Sequence, residues 1–354
     1  MNKRLYNLDF IRFLCCITIL ITHANLIDLL PSGMLRTSIG VSFFFILSGF
    51  FLHGQCLKGI SIEEFAVKRY IRLMPIIVIS FIIIGILHYA GLVRQFPNFT
   101  EIISSIFLLK SISLFPSVPF AEGNSHLWYI GPLFWGSIFF YLLFKCNEIP
   151  RLKFLIALVI IYFCTWEYID NLKVLDGLCR GISGIGLGYF CALATYHLRN
   201  NYDSNSRTKT CIVTVIELVL LFLLIDLLFV HCLPRSRKED MYGIIIFLLL
   251  ISTFTLQKGY ISKALNRSWL GKVGTISYSV YVLQYIPQIL FEKENLFGQA
   301  NWYISYKHDY PILTFLIVAI ILPIIIGLLG YIFVEKPAAK FLNNLWKGTC
   351  RNTN

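Results

Sequence analysis

Residues 8–30 read L-D-F-I-R-F-L-C-C-I-T-I-L-I-T-H-A-N-L-I-D-L-L, a run long enough to cross a bilayer that nevertheless carries Asp9, Arg12, His23 and Asp28. Whether such a run is a buried core helix or a membrane span is decided by the rest of the chain. Of 354 residues, 57% are apolar, 16% aromatic and only 14% charged, a composition foreign to soluble domains. At about 20 residues per span, that apolar mass suffices for on the order of ten membrane helices. It comes in unbroken runs and not in alternating ten-residue segments, which excludes an outer-membrane barrel.

The expected fold is all-α and polytopic. Ten candidate helices are predicted: Leu8–Leu30, Ser38–Gly54, Leu73–Leu92, Leu127–Phe144, Phe154–Tyr168, Leu178–His197, Cys211–Val230, Tyr242–Leu256, Val273–Leu290 and Ile312–Val334. The stretch Ile102–Phe115 is too short to span and is followed by Pro116 and Pro119, so it reads as half-inserted or interfacial. The chain is expected to form a single transmembrane domain over residues 1–354, with both termini cytoplasmic. That orientation puts 21 of the 31 Lys and Arg residues on the inner side. The net charge of +12 therefore needs no nucleic acid partner, although the outer loop Arg235–Lys238 fits poorly. Ten scattered cysteines show neither metal-ligand spacing nor a disulfide framework. The five glycines between Gly177 and Gly188 follow no strand, so they read as close helix packing and not as a dinucleotide loop. No cleavable signal peptide and no inverted repeat is evident.

Charges inside spans are functional suspects because each costs roughly 2.5 to 3.5 kcal/mol at a helix centre. Arg12 and His23 are eleven residues apart. On a helix this returns His23 to within about 20° of Arg12 and about 16 Å further along. Asp9 precedes Arg12 by three and can pair with it. A guanidinium suits phosphate and an imidazole moves protons near neutral pH, so the face suits a ligand with phosphates at one end and a reactive group at the end of a thin arm, as in coenzyme A. The opposing reading is that Arg12 snorkels to the interface and His23 is a packing residue. Lys68, Arg69 and Arg72, in E-E-F-A-V-K-R-Y-I-R-L-M-P, form a second basic cluster beside the first, though the positive-inside bias alone also predicts basic residues there.

Six stretches together resemble the membrane acyltransferase type 3 family. They are N-L-D-F-I-R-F-L with Arg12 and His23, G-V-S-F-F-F-I-L-S-G-F-F-L from Gly40, K-R-Y-I-R-L-M-P from Lys68, H-L-W-Y-I from His126, I-S-Y-S-V-Y-V-L-Q from Ile276 and V-E-K-P from Val334, in the family's order across nearly the whole chain. The resemblance implies a multi-pass protein of the cell membrane, in bacteria the inner or cytoplasmic membrane, that moves a short acyl group, usually acetyl, from cytoplasmic acyl-CoA to a hydroxyl. The acceptor it implies is a cell-surface glycan or its lipid-linked precursor, and no metal is called for. It makes His23 the catalytic residue with Arg12 beside it, and makes Arg69, Arg72, Lys68 and Ser48 donor-binding positions. Helix packing is the competing role for Ser48 and Gly49.

Two departures stand out. The ninth-helix motif often closes with His, whereas this chain has Gln284, so a second imidazole is not expected there. Some members append an extracytoplasmic domain, which is not expected here because the sequence ends twenty residues after Val334. For the acceptor, candidate contacts are Trp128, Tyr129, Arg180, Tyr278 and Gln284, with Asp28 and Tyr281 behind them. Trp128 and Tyr129 equally suit a membrane-interface belt. Asp9 and Glu335 read as supporting residues, Glu335 through a basic partner at the inner interface. The rival function is a proton-coupled transporter or flippase, in which His23, Glu217 and Asp226 would relay protons. A non-catalytic scaffold fits less well, because it gives the aligned polar face of the first helix no purpose.

Overall fold

The computed structural model describes residues 4–23, 37–93, 99–109, 125–145, 150–170, 176–201, 207–230, 237–292, 313 and 316–352, and the regular structure among them is helical. In chain order the helices are α1 (Tyr6–His23), α2 (Thr37–Cys56), α3 (Ile62–Tyr89), the short α4 (Phe99–Ile106), α5 (Ile130–Lys145) entered through a 3₁₀ turn at Ser125–Tyr129, α6 (Pro150–Asp170), α7 (Asp176–Asn201), α8 (Arg207–Ile225) closed by a π turn at Asp226–Val230, and α9 (Arg237–Leu256). Four short helices follow: α10 (Tyr260–Leu265), α11 (Ser268–Thr275), α12 (Ser277–Leu283) and α13 (Tyr285–Glu292). The last span runs through a π turn at Leu316–Ile321, α14 (Leu322–Gly330), a second π turn at Tyr331–Glu335 and α15 (Lys336–Asn352).

Among the described residues, six helical stretches are long and apolar enough to cross a membrane: Ile39–Cys56, Ile62–Tyr89, His126–Lys145, Gly177–Arg199, Arg207–Leu228 and Leu316–Gly348. Ile156–Trp166 and Met241–Leu256 are shorter apolar helices at two further expected spans. The molecule is thus a multi-pass membrane protein. Of the other two expected spans, the first is described only as far as His23, and Asp28 lies outside the described residues. The ninth, Val273–Leu290, departs from expectation: the helix breaks at Ile276 and again at Gln284. Hydropathy registers apolar content, which this stretch has, and not continuity of the backbone ladder, which it lacks. Of the expected half-inserted segment, residues 110–115 lie outside the described residues, and α4 covers its start.

Helix α3 begins well before the expected Leu73. Ser61 caps it by accepting the Glu64 amide N–H at 3.1 Å, so S-I-E-E acts as the first half of a capping box. Arg69 and Arg72 consequently sit on a helix. Helices α2 and α7 lie backbone to backbone. A Cβ at Gly49 would stand 1.8 Å from the Ile185 carbonyl oxygen, and one at Gly188 would stand 1.9 Å from that of Ile46, which confirms packing as the role of the glycine-rich run.

Two apolar clusters flank α1. Phe13, Cys16, Ile19 and Leu20 face one, shared with α2, α3, α5, α7 and α12. Leu8, Ile11 and Cys15 face the other, shared with α2, α8 and α9. A helix enclosed on both sides by protein can carry polar groups that lipid would expel.

Candidate functional site

At the end of the bundle that holds the start of α1, two cavities adjoin. The inner one, about 200 Å³, brings together Arg12 from α1, Ser48 from α2, Arg69 and Arg72 from α3, Tyr129 from the 3₁₀ turn and Tyr278 from α12. The outer one, about 710 Å³, shares Arg12 and Arg72 with it and adds Arg4, Lys58 and Lys336, with Asp9 and Glu335 as its acids. Each arginine is held differently. Arg12 pairs with Asp9 at 3.1 Å, as its spacing predicts, and donates to the Gly274 carbonyl. Asp9 is shared, because Arg4 also reaches it at 2.7 Å. Arg69 donates to the Ser48 hydroxyl and at 3.5 Å to the Leu133 carbonyl, so Ser48 positions a guanidinium as well as lining the cavity. Arg12 Nε and Arg69 Nε are buried without a hydrogen-bond partner among the described residues, and Arg72 is exposed. Cationic donors thus remain for an anion.

The broken segment from α11 to α13 supplies the acceptors that fix this face. Arg4 donates to the Gly271 carbonyl at 3.3 Å, Arg12 to that of Gly274, Cys16 to that of Ser277 at 3.4 Å and His126 to that of Val282 at 3.0 Å. Helix ends leave carbonyls unpaired along the ladder, and here side chains take them up. Gly274 must be glycine for the approach, since a Cβ there would stand 2.2 Å from the Asp9 carbonyl oxygen.

His23 ends the described part of α1. Its Nδ1 lies 3.2 Å from Gln284 Oε1, and Gln284 is fully buried. Its ring stacks on Tyr285 at 5.6 Å and stands 6.3 Å from His126 and 6.4 Å from Tyr281, centroid to centroid. Tyr281 donates to the His126 carbonyl at 2.7 Å. The Tyr129 ring, which walls the inner cavity, meets Tyr281 edge-on at 4.6 Å. A continuous aromatic wall therefore runs from the arginines to the imidazole.

Other sequence-derived candidates fall elsewhere. Lys68 is exposed and paired with Glu64 one turn back, outside both cavities. Arg180 is buried, donating to Ser42 at 2.8 and 3.1 Å with its guanidinium 5.8 Å over the Trp128 ring. Trp128 and Tyr129 form no interface belt: Tyr129 is only 3% exposed, and Trp128 packs on Phe45. The Tyr278 hydroxyl is spent on the Leu73 carbonyl at 2.7 Å. Glu335 takes a hydrogen bond from Ser279 and forms no ion pair among the described residues, although Arg12, Arg72 and Lys336 line the same cavity. Sequence reasoning gave His126 no role although it quoted the motif that contains it. It also counted Arg4, Lys58 and Lys336 only as topogenic charge. Among the described residues no group of three His, Cys, Asp or Glu is arranged to hold a metal ion.

Fold and site together define a polytopic helical membrane protein with a basic cavity whose Tyr129 touches Tyr281, the ring that neighbours His23. The chain belongs to the acyltransferase type 3 family: residues 5–334 match a family model described as an acyltransferase domain, and it is accordingly a membrane acyltransferase. No curated protein and no solved structure matches it.

Proposed function

We propose that the protein is an O-acyltransferase of the bacterial cytoplasmic membrane. It moves an acetyl or other short acyl group from cytoplasmic acyl-CoA to a hydroxyl of a cell-surface glycan or its lipid-linked precursor. One observation carries this reading: Arg12, Arg69 and Arg72 line a single cavity whose Tyr129 wall continues through Tyr281 to His23. The outer cavity, with Arg4, Lys58, Arg72 and Lys336, suits the nucleotide phosphates, where guanidinium and ammonium groups make charge-assisted hydrogen bonds. The narrower inner cavity suits the thin arm that carries the thioester.

In the proposed reaction His23 is the general base. With its Nδ1–H donated to Gln284 Oε1, the lone pair at Nε2 takes the proton of the acceptor hydroxyl. The hydroxyl oxygen bonds to the thioester carbonyl carbon, the carbon–sulfur bond breaks, and the departing thiolate recovers the proton from His23. Trp128, with Arg180 held over its ring, offers a flat apolar surface for a sugar. The transport reading would pass protons through Glu217, whose Oε2 has a role in the fold, accepting the amide N–H groups of Ile261 and Ser262 at 3.1 and 3.2 Å.

The test is purified protein in lipid nanodiscs with radiolabelled acetyl-CoA and the membrane glycolipid fraction of the source cells. Wild type is expected to release free CoA and label the glycolipid, and His23→Ala to insert and fold but transfer nothing. Transfer by His23→Ala removes the base assignment, and glycolipid movement without CoA release favours transport. Comparing surface-glycan masses with and without the gene identifies the acceptor.

A further inference from the structure

Gln284 sits at the joint between α12 and α13, fully buried, with its amide oxygen on His23 Nδ1. Its other half is the unexplained part. Gln284 Nε2 is buried and has no hydrogen-bond partner among the described residues. An amide nitrogen carries two N–H donors, and a buried donor without an acceptor is costly and rare. Such a group at a reacting centre is accounted for when the substrate brings the acceptor.

The polar groups packed around His23 narrow the choice. His126, from the 3₁₀ turn, has its Nε2–H on the Val282 carbonyl, and Tyr281, from α12, has its hydroxyl on the His126 carbonyl. Tyr285, from α13, presents its ring face to the imidazole. Of the donors with explained partners none is spare, whereas the Gln284 amide nitrogen is.

We infer that Gln284 acts twice in acyl transfer: its amide oxygen holds the His23 Nδ1–H, so that Nε2 is the free base, and its amide N–H receives the thioester carbonyl oxygen as that oxygen becomes negative. This deepens the acyl-transfer reading and rests on it. When the acceptor hydroxyl adds to the carbonyl carbon, the C=O π electrons move onto oxygen and the hydroxyl proton passes to His23 Nε2. The negative oxygen then takes the Gln284 N–H. Re-formation of C=O expels the thiolate, which leaves with the proton from His23. A neutral amide is suited to both tasks because acceptor and donor sit on one rigid plane, and a preset donor stabilises charge that appears only in the transition state.

Three variants separate the roles in the nanodisc assay with radiolabelled acetyl-CoA. Gln284→Leu removes both, and kcat is expected to fall by about 10²–10³ with the acetyl-CoA KM unchanged within about twofold. Gln284→Glu keeps an acceptor for Nδ1–H but loses the donor, so kcat stays low while the acidic limb of its pH profile moves to higher pH. Gln284→His, whose neutral ring has one acceptor and one donor nitrogen, is expected to return kcat to within about tenfold of wild type. Wild-type kcat in Gln284→Leu overturns the inference, and near-wild-type kcat in Gln284→Glu overturns the donor role. A folded, inserted Gln284→His as slow as Gln284→Leu overturns the paired acceptor and donor. Failure of the parent reading looks different: the wild-type protein itself then releases no CoA, or His23→Ala turns over normally.

Discussion

Helices α1 and α8 both carry charge within apolar runs, and they use it for unrelated purposes. On α1, Arg12 and His23 are half-buried; Arg12 pairs with Asp9 and donates to the Gly274 carbonyl, His23 bonds the Gln284 amide, and Arg12 Nε has no hydrogen-bond partner among the described residues. On α8, Leu218, Val219, Phe222 and Ile225 are exposed, and Val213, Glu217, Leu220 and Leu224 form the buried face. Glu217 is fully buried, yet its carboxylate is the N-terminal cap of α10, a job that Gly259 makes room for by lacking a side chain. An intramembrane charge is thus a suspect and no more than that. What separates the two helices is what the polar group faces: Glu217 Oε2 serves backbone amides, its Oε1 having no hydrogen-bond partner among the described residues, whereas Arg12 lines a cavity.

The comparison breaks if the two classes of variant fail to dissociate. Arg12→Ala is expected to lower kcat/KM for the acyl donor by about a hundredfold, roughly 2.7 kcal/mol of transition-state binding, read in the nanodisc assay. Glu217→Leu does the reverse: it strips the acceptor from two amides and lowers stability by about 2 kcal/mol, measured as unfolding of the detergent-purified protein, with kcat/KM per folded molecule unaltered. A loss of turnover in that variant at full stability returns α8 to the reaction. The same contrast recurs within α3. Arg72→Ala is expected to raise the donor KM about tenfold, the more so at low ionic strength. Lys68→Ala changes it by less than about twofold, as its contact is an exposed pair with Glu64.

What the sequence disclosed follows the same division. Eight of the ten expected spans have a matching apolar helix, since hydropathy measures the property that lipid selects. The alignment of Asp9, Arg12 and His23 was legible from helical spacing because all three lie on one continuous helix. Arg69 and Lys68 could not be told apart by charge. They are adjacent, so they point about 100° apart, and only the packing of α3 against α2 and α5 turns Arg69 inward to Ser48 and Leu133. The role of Glu217 was invisible because its partners are backbone amides more than forty residues away, and backbone amides carry no sequence signature. The contact between Gln284 and His23 joins residues 261 apart in the chain and depends on a helix joint that no composition measure records.

That joint bears on how an anion could travel inside a protein that lipid surrounds. Rows of arginine usually need carboxylates to hold them, and carboxylates would repel phosphate. Here the Gly271 and Gly274 carbonyls share Arg4 and Arg12 with Asp9, and among the described residues Asp9 and Glu335 are the acids that line the two cavities. Interrupting the ninth helix therefore gives up regular backbone pairing but adds neutral acceptors for the arginines, and the larger cavity keeps five cations against two acids, so that an entering polyanion meets net positive charge.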